Sequence, residues 1–78
     1  MINIKDLVTL DDNKEYCVAS KAMLEGKTYY FLVDMNDTRN IKICFESVEN
    51  NTIILTEVED NNLIQKLLLS FNETNKNN

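Results

Sequence analysis

The chain has 78 residues, with 13 acidic side chains against 8 basic ones and a net charge of −5 at neutral pH. It contains no histidine, no proline and one glycine, so it lacks the commonest general base and metal ligand and cannot build glycine-rich phosphate loops. An acidic surface also disfavours direct binding to nucleic acid or anionic lipid. The composition therefore predicts a protein that is not an enzyme and holds no cofactor, and whose partner is a protein with a basic surface.

The length fits one small domain, and an apolar content of 44% with 27% charge is typical of a folded globular chain. No apolar run approaches the roughly 18 residues that a membrane helix needs. The first residues also lack the charged-then-apolar layout of a secretory signal. We predict a cytoplasmic protein with a single domain over residues 1–71 and a flexible polar tail over residues 72–78.

The first half of the chain predicts three strands. Residues 8–10 form a short strand that ends in turn-forming residues 11–14. Residues 15–24 alternate as a second strand, and residues 28–33 form a third that is β-branched and aromatic. Gly26 lies between them, where a hairpin requires a positive φ. Alternation along the second strand predicts that four residues share one face: Tyr16, Val18, Ser20 and Ala22.

Two more strands follow after polar turns. Residues 41–46 alternate cleanly, which predicts that Ile41, Ile43 and Phe45 point inward. Residues 52–58 form the fifth strand after the turn formers at 49–51. Turns recur every ten to fourteen residues, which is typical of an antiparallel meander.

The period changes to that of a helix after residue 59. Asp60 is a suitable helix cap, because its carboxylate can accept hydrogen bonds from the first free backbone N–H groups. Leu69 falls outside the apolar stripe and is expected to be exposed. The stripe has helical spacing and consists of Leu63, Ile64, Leu67, Leu68 and Phe71.

The predicted fold class is therefore α+β: an antiparallel β-meander of four to five strands with one C-terminal α-helix packed on one face. Which face the helix takes is left open. The other face of such a sheet is where a binding function would lie.

Three segments resemble the small acidic YrzB-like bacterial protein family. They are residues 7–16 (LVTLDDNKEY), residues 26–33 (GKTYYFLV) and residues 58–60 (VED) before the leucine-rich helix. The resemblance covers about residues 7–71, and the chain lacks the longer acidic stretch often found before the last element of that family. It implies a cytosolic protein from a low-GC bacterium or a mobile element, and it implies no particular activity.

Three groups of chemistry-bearing residues fit structural roles better than active sites. A calcium loop starting at Asp34 would need glycine and glutamate where Arg39 and Phe45 stand. Glu57, Glu59 and Asp60 are suited to the positive end of a helix dipole. Cys17 and Cys44 lie far apart in sequence and read as small apolar residues. No catalytic, cofactor-binding or metal-binding residue is predicted.

The best candidates for a partner-binding site are acidic residues near the turns. In an antiparallel meander alternate turns share one end of the sheet, so Asp11, Asp12, Asp34 and Asp37 could gather at one acidic rim. Such a rim keeps the protein soluble or meets a basic partner, and both readings stay open. Tyr30, if its ring is exposed, is a candidate anchor for protein contact.

Two functions compete on these grounds. The favoured one is a small acidic protein-binding module, in its narrower form a phage or mobile-element inhibitor of a nucleic-acid-handling defence enzyme, in the manner of an anti-CRISPR protein. The alternative is a housekeeping domain that self-associates into a homodimer through an edge strand or Leu69. A third class, an enzyme or a nucleic-acid binder, is the least supported.

Overall fold

A computed structural model describes residues 2–76, with side chains described as far as residue 71. Five antiparallel strands form one curled sheet in the order β1-β2-β3-β4-β5, and a single helix follows them. This confirms the predicted α+β meander. The elements are β1 Leu7–Thr9, β2 Glu15–Leu24, β3 Lys27–Asp34, β4 Ile41–Glu49, β5 Thr52–Glu57 and α1 Asn61–Lys76.

Two hairpins close on two-residue turns with left-handed backbone. Gly26 has a φ of +80° beside Glu25 at +52°, which confirms the positive φ predicted for the glycine. Asn50 and Asn51 have φ of +52° and +65° in the turn between β4 and β5. Two consecutive positive φ angles match the right-handed twist of the flanking strands, and they fix the register of both hairpins.

The prediction that alternate residues of β2 all share one face is wrong beyond Val18. Val18 lies opposite Leu32, whereas Ser20 lies opposite Phe31, so Ala19 is an extra residue on the β2 side. Such a β-bulge leaves one residue without a direct counterpart. Because side chains alternate along a strand, it moves the second half of β2 to the other face.

The buried side chains form two separate clusters. The tyrosine cluster comprises Tyr16, Val18, Tyr30, Leu32 and Cys44. The helix cluster combines three sheet residues, one residue that follows β5 and two residues of α1, and comprises Ala22, Tyr29, Ile43, Val58, Leu67 and Phe71. The bulge is what allows β2 to contribute to both clusters.

The inward pattern predicted for β4 holds only in its centre. Ile43 is buried and Phe45 is half-buried, but Ile41 is 46% exposed. Cys44, between them, is buried in the tyrosine cluster. Ile41 lies at the start of β4, next to the exposed 35–39 segment, and gains less cover than the residues that follow.

The helix begins as predicted. Asp60 Oδ1 accepts hydrogen bonds from the backbone N–H groups of Asn62 at 2.9 Å and Leu63 at 3.4 Å, which confirms the cap. Leu69 is 67% exposed, as expected, while Leu68, assigned to the apolar stripe, is 40% exposed at its margin.

The helix extends beyond its predicted end at residue 71. It continues to Lys76, over most of the stretch predicted as a flexible tail, and residues 77 and 78 lie outside the described part. Within the described residues, no helix has the length and apolar character needed to cross a bilayer.

Candidate functional site

A cleft opens between β1 and β5, the two edge strands of the curled sheet. It has a volume of about 430 Å³, and six of its eight lining residues are apolar, with one carboxylate among the other two. The sheet curls so that its two edges contribute to the same cleft although they lie at opposite ends of the strand order. The lining residues are Ile2, Val8, Thr9, Leu10, Asp11, Ile53, Ile54 and Leu55.

A second lobe of about 200 Å³ continues the cleft along β5, and we call it the polar lobe because four of its seven lining residues are charged. Leu10, Asp11 and Leu55 line both lobes, so the two form one groove. The polar lobe adds the side chains of Asp12, Lys42, Cys44 and Glu57. The groove therefore runs from an apolar end near Ile53 to a charged end near Asp12.

A chain of hydrogen bonds lies behind the charged end. The Tyr16 hydroxyl donates to Asp12 Oδ2 at 2.7 Å and accepts from Asn40 Nδ2 at 3.2 Å. The same Asn40 amide donates to Asp34 Oδ2 at 3.0 Å. This network joins the turn after β1 to the turn after β3, so these two turns meet at one end of the sheet as the sequence predicts.

Both carboxylates of this network are held in their charged form. The Tyr16 hydroxyl and, next, the backbone N–H of Lys14 at 2.9 Å lower the pKa of Asp12. The pKa of Asp34 is lowered by the backbone N–H of Asn36 and by the Asn40 amide. Burial and the bond to Asp12 raise the pKa of Tyr16, which keeps its proton. Asp12 thus remains an anion at the rim of the groove.

The floor of the polar lobe combines an ion pair and a thiol. Lys42 Nζ lies 3.1 Å from Glu57 Oε1, and this contact raises the pKa of Lys42. Burial and then the Glu57 charge raise the pKa of Cys44 to about 11. A thiol with that pKa is protonated at neutral pH, and it is the thiolate that acts as a nucleophile. Cys44 is therefore suited to packing.

The acidic residues predicted for a partner-binding rim have three different environments. Asp11 and Asp12 are exposed and line the groove. Asp37 is exposed outside it, and its Oδ1 lies 3.2 Å from Arg39 Nε. Asp34 is only 3% exposed and supports the turn after β3, so it cannot form part of an exposed rim.

Tyr30 does not meet the condition set for a contact anchor. Its side chain is 1% exposed within the tyrosine cluster, and its hydroxyl donates to Glu46. The ring is buried because Tyr30 faces the same side as Leu32 and Cys44, which the curled sheet encloses. A binding role for the remaining candidates stays a prediction.

Sequence reasoning missed Tyr16, Asn40 and the β5 side chains as parts of the site. Asp12 bonds to the backbone two residues ahead, and so does Asp34; this Asx-turn pattern can be recognised from sequence. The bonds of Asn40 to Tyr16 and Asp34 join distant segments and leave no local signal.

The groove combines apolar lining residues with exposed carboxylates, and both bear on what it can bind. Among residues 2–76 no three histidine, cysteine or carboxylate side chains lie together in a way that could hold a metal ion. Its apolar end can bury alkyl side chains, and its acidic end can pair with a cation. Protein-family models, curated proteins and solved structures give no match to this chain.

Proposed function

We propose that this chain is a small, non-enzymatic protein-binding module whose partner presents a basic surface. The observation that carries the proposal is the groove between the edge strands, which joins an apolar end to exposed carboxylates at Asp11 and Asp12. Opposite charge accelerates encounter and selects among partners, while apolar contact supplies most of the affinity. Among the described carboxylates only Asp34 and Glu46 are not exposed, which extends the negative field around the groove.

The proposal includes the helix as the cover of the opposite side of the sheet. Leu67 and Phe71 are buried in the helix cluster, and the rings of Phe31 and Phe71 meet edge to face at 5.5 Å. Such contacts add to the free energy gained from burial. With that side covered, the proposal assigns the groove between β1 and β5 to a partner.

In its narrower form, the module inhibits a nucleic-acid-handling enzyme by occupying its basic channel, as a phage or mobile-element product would. The acidic exterior supports this form, because a channel that attracts phosphates also attracts carboxylates. The resemblance to the YrzB-like family stays a prediction beside it.

The first experiment tests capture by the whole chain and its dependence on charge. Immobilised protein is expected to retain a partner from bacterial lysate at low salt and to release it at about 1 M salt, where charges are screened within about 3 Å. Asp11→Lys should weaken capture strongly. Glu25→Lys is the matched control, since it makes the same charge change at the other end of β2. Equal capture by both variants, or capture unaffected by salt, would contradict the proposal.

The narrower form has its own test. Heparin, a soluble polyanion, should displace the captured partner, because both would compete for one basic surface. Retention of the partner in excess heparin would reject a role at a nucleic-acid channel and leave protein binding intact.

A homodimer is the second candidate, and one feature favours it. Leu68 and Leu69 are exposed on α1, and Leu68 lines an apolar groove of about 310 Å³ together with Ile41 and Ile64. Sedimentation should then show a concentration-dependent dimer that Leu69→Lys dissociates. A monomer at all concentrations would reject this candidate.

A further inference from the structure

The outer edge of β5 has backbone groups that are free to pair with another strand. The Val58 N–H donates to the Ile43 carbonyl at 2.8 Å, so these two residues form a hydrogen-bonded pair. In an antiparallel ladder such pairs alternate with pairs that do not exchange hydrogen bonds. Counting back along β5, Thr56 and Ile54 bond towards β4. The N–H and C=O groups of Ile53 and Leu55 therefore point away from the sheet.

No other described strand occupies this edge. β5 is the last strand in the sheet order, and within residues 2–76 no hydrogen bond to the backbone of Ile53 or Leu55 from outside the sheet is present. An exposed edge of this kind is a template for an added strand. β1 also forms an edge, but it has three residues against six in β5.

The same residues direct their side chains into the groove. Ile53 and Leu55 both line the apolar lobe, and Ile53 is 38% exposed. In an antiparallel pair, directly opposite residues project to the same face. A strand added to β5 would therefore send every second side chain into the groove, beside Val8 and Leu10 of the opposite edge.

We propose that the groove receives an extended segment of a partner protein, which adds antiparallel to β5 with alternate apolar side chains in the groove and a lysine or arginine near Asp11 and Asp12. This inference rests on the proposed function and specifies its binding mode. Main-chain hydrogen bonds to Ile53 and Leu55 give affinity, and the groove selects side chains. The acidic end of the groove favours a positively charged residue beside the apolar residues of the partner segment.

Charge favours a basic partner over a second copy of the chain. Each copy has a net charge of −5, and antiparallel pairing of two β5 strands would bring two Glu57 side chains and two acidic rims to one interface. Like charges placed together at an interface oppose binding. Self-pairing is therefore an outcome that the test must detect.

The test uses a fluorescently labelled synthetic peptide, acetyl-Lys-Thr-Val-Thr-Val-Thr-Lys-amide, in which the lysines and valines share one face, and the 78-residue chain. In the proposed pairing the valines face the groove and donate to β5, while the threonine N–H groups point away. Methylation of the valine nitrogens should weaken binding by about tenfold or more, because about two main-chain hydrogen bonds are lost. Methylation of the threonine nitrogens is the matched control and should change the affinity by less than about threefold. Equal effects of the two methylations would overturn strand addition.

A variant pair tests the same edge from the protein side. Ile53→Pro removes an outward N–H, a change that edge strands tolerate, and Ile53→Ala removes the side chain but keeps the N–H. Peptide binding should fall further in the proline variant, by about tenfold relative to alanine. Equal binding by the two variants would overturn the inference; if the proline variant does not fold, the methylated peptides decide.

The outcomes separate this inference from the proposed function. Partner capture that is sensitive to Asp11→Lys but not to Ile53→Pro would leave a protein-binding module and reject strand addition. If the wild-type chain neither captures a partner nor binds the peptide, both proposals are rejected. A dimer in sedimentation that Ile53→Pro dissociates would overturn the inference in favour of β5 self-pairing.

Discussion

The two buried clusters of this small domain are built on different chemistry. In the helix cluster, aliphatic and aromatic side chains meet, and the Phe31 and Phe71 rings contact edge to face. The tyrosine cluster is centred on two tyrosines, whose hydroxyls donate to carboxylates at Asp12 and Glu46. The helix cluster is therefore expected to provide stability that is insensitive to pH, while the tyrosine cluster links stability to the charged rim of the groove.

The largest effect is expected from emptying the helix cluster. Leu67 is fully buried, and Leu67→Ala should cost about 2–5 kcal/mol of unfolding free energy. A domain of this size typically has only about 3–5 kcal/mol in total, so the variant should be largely unfolded near room temperature.

Leu69→Ala is the matched control for this substitution. Leu69 lies on the same helix and is 67% exposed, so its removal should change stability by less than about 0.5 kcal/mol. Urea unfolding followed by circular dichroism measures both variants. Similar midpoints for the two would show that α1 does not contribute to the core as described.

The next effect comes from the hydroxyl of Tyr16. Tyr16→Phe removes one donor to Asp12 and one acceptor for Asn40, which should cost about 1.5–3 kcal/mol because one bond involves a charged group. Tyr29→Phe is the control in the helix cluster, since the Tyr29 hydroxyl makes no hydrogen bond to another described residue. Thermal unfolding should separate the two variants by several degrees, and equal melting temperatures would remove the distinction between the clusters.

Acid should lower the stability of the fold through the hydrogen-bond network around Tyr16. Asp12 and Asp34 have a lowered pKa in the folded chain. A carboxyl group whose pKa is lower in the folded chain than in the unfolded chain stabilises the fold when the pH is above the unfolded pKa. That contribution is lost as the pH falls through the folded pKa. With an unfolded pKa of about 3.9, stability should start to fall below about pH 5 and continue to fall below about pH 3.9.

Asp34→Asn makes the pH prediction specific to one residue. The variant should be less stable than wild type at pH 7, and the difference should narrow as the wild-type carboxyl becomes protonated. Asp37→Asn, at an exposed site in the same turn, should follow the wild-type curve. Parallel pH curves for wild type and Asp34→Asn would show that Asp34 does not contribute through its charge.

The smallest effect is expected at a polar side chain that is buried without a partner among the described residues. Ser20 Oγ is buried and has no hydrogen-bond partner among the described residues. Ser20→Ala should leave stability unchanged or raise it by up to about 1 kcal/mol, because the alanine has no hydroxyl to desolvate. A loss of more than about 1 kcal/mol would reveal a hydrogen bond to Ser20 that the structure does not show.

Local signals in the sequence were sufficient for the elements and their connections. The strand positions, the glycine between β2 and β3 and the Asp60 cap each depend on residues close together in sequence, and the structure confirms all three. The helix end was less predictable, because the residues after Phe71 lack an apolar signal although the helix continues to Lys76.

What only the tertiary structure decided depends on contacts between distant segments. The bulge at Ala19 reassigns half of β2 to the other cluster. The enclosure of the tyrosine cluster buries Tyr30, which could be an anchor only if exposed, and Asp34, predicted for an exposed rim, is buried as well. The groove itself exists because the sheet curls until β1 and β5 line one cavity. Strand propensity is a property of neighbouring residues, whereas the curl of the sheet, its register and the enclosure of side chains result from packing over the whole sheet. The sequence alone therefore determined the elements, and the packing decided the site.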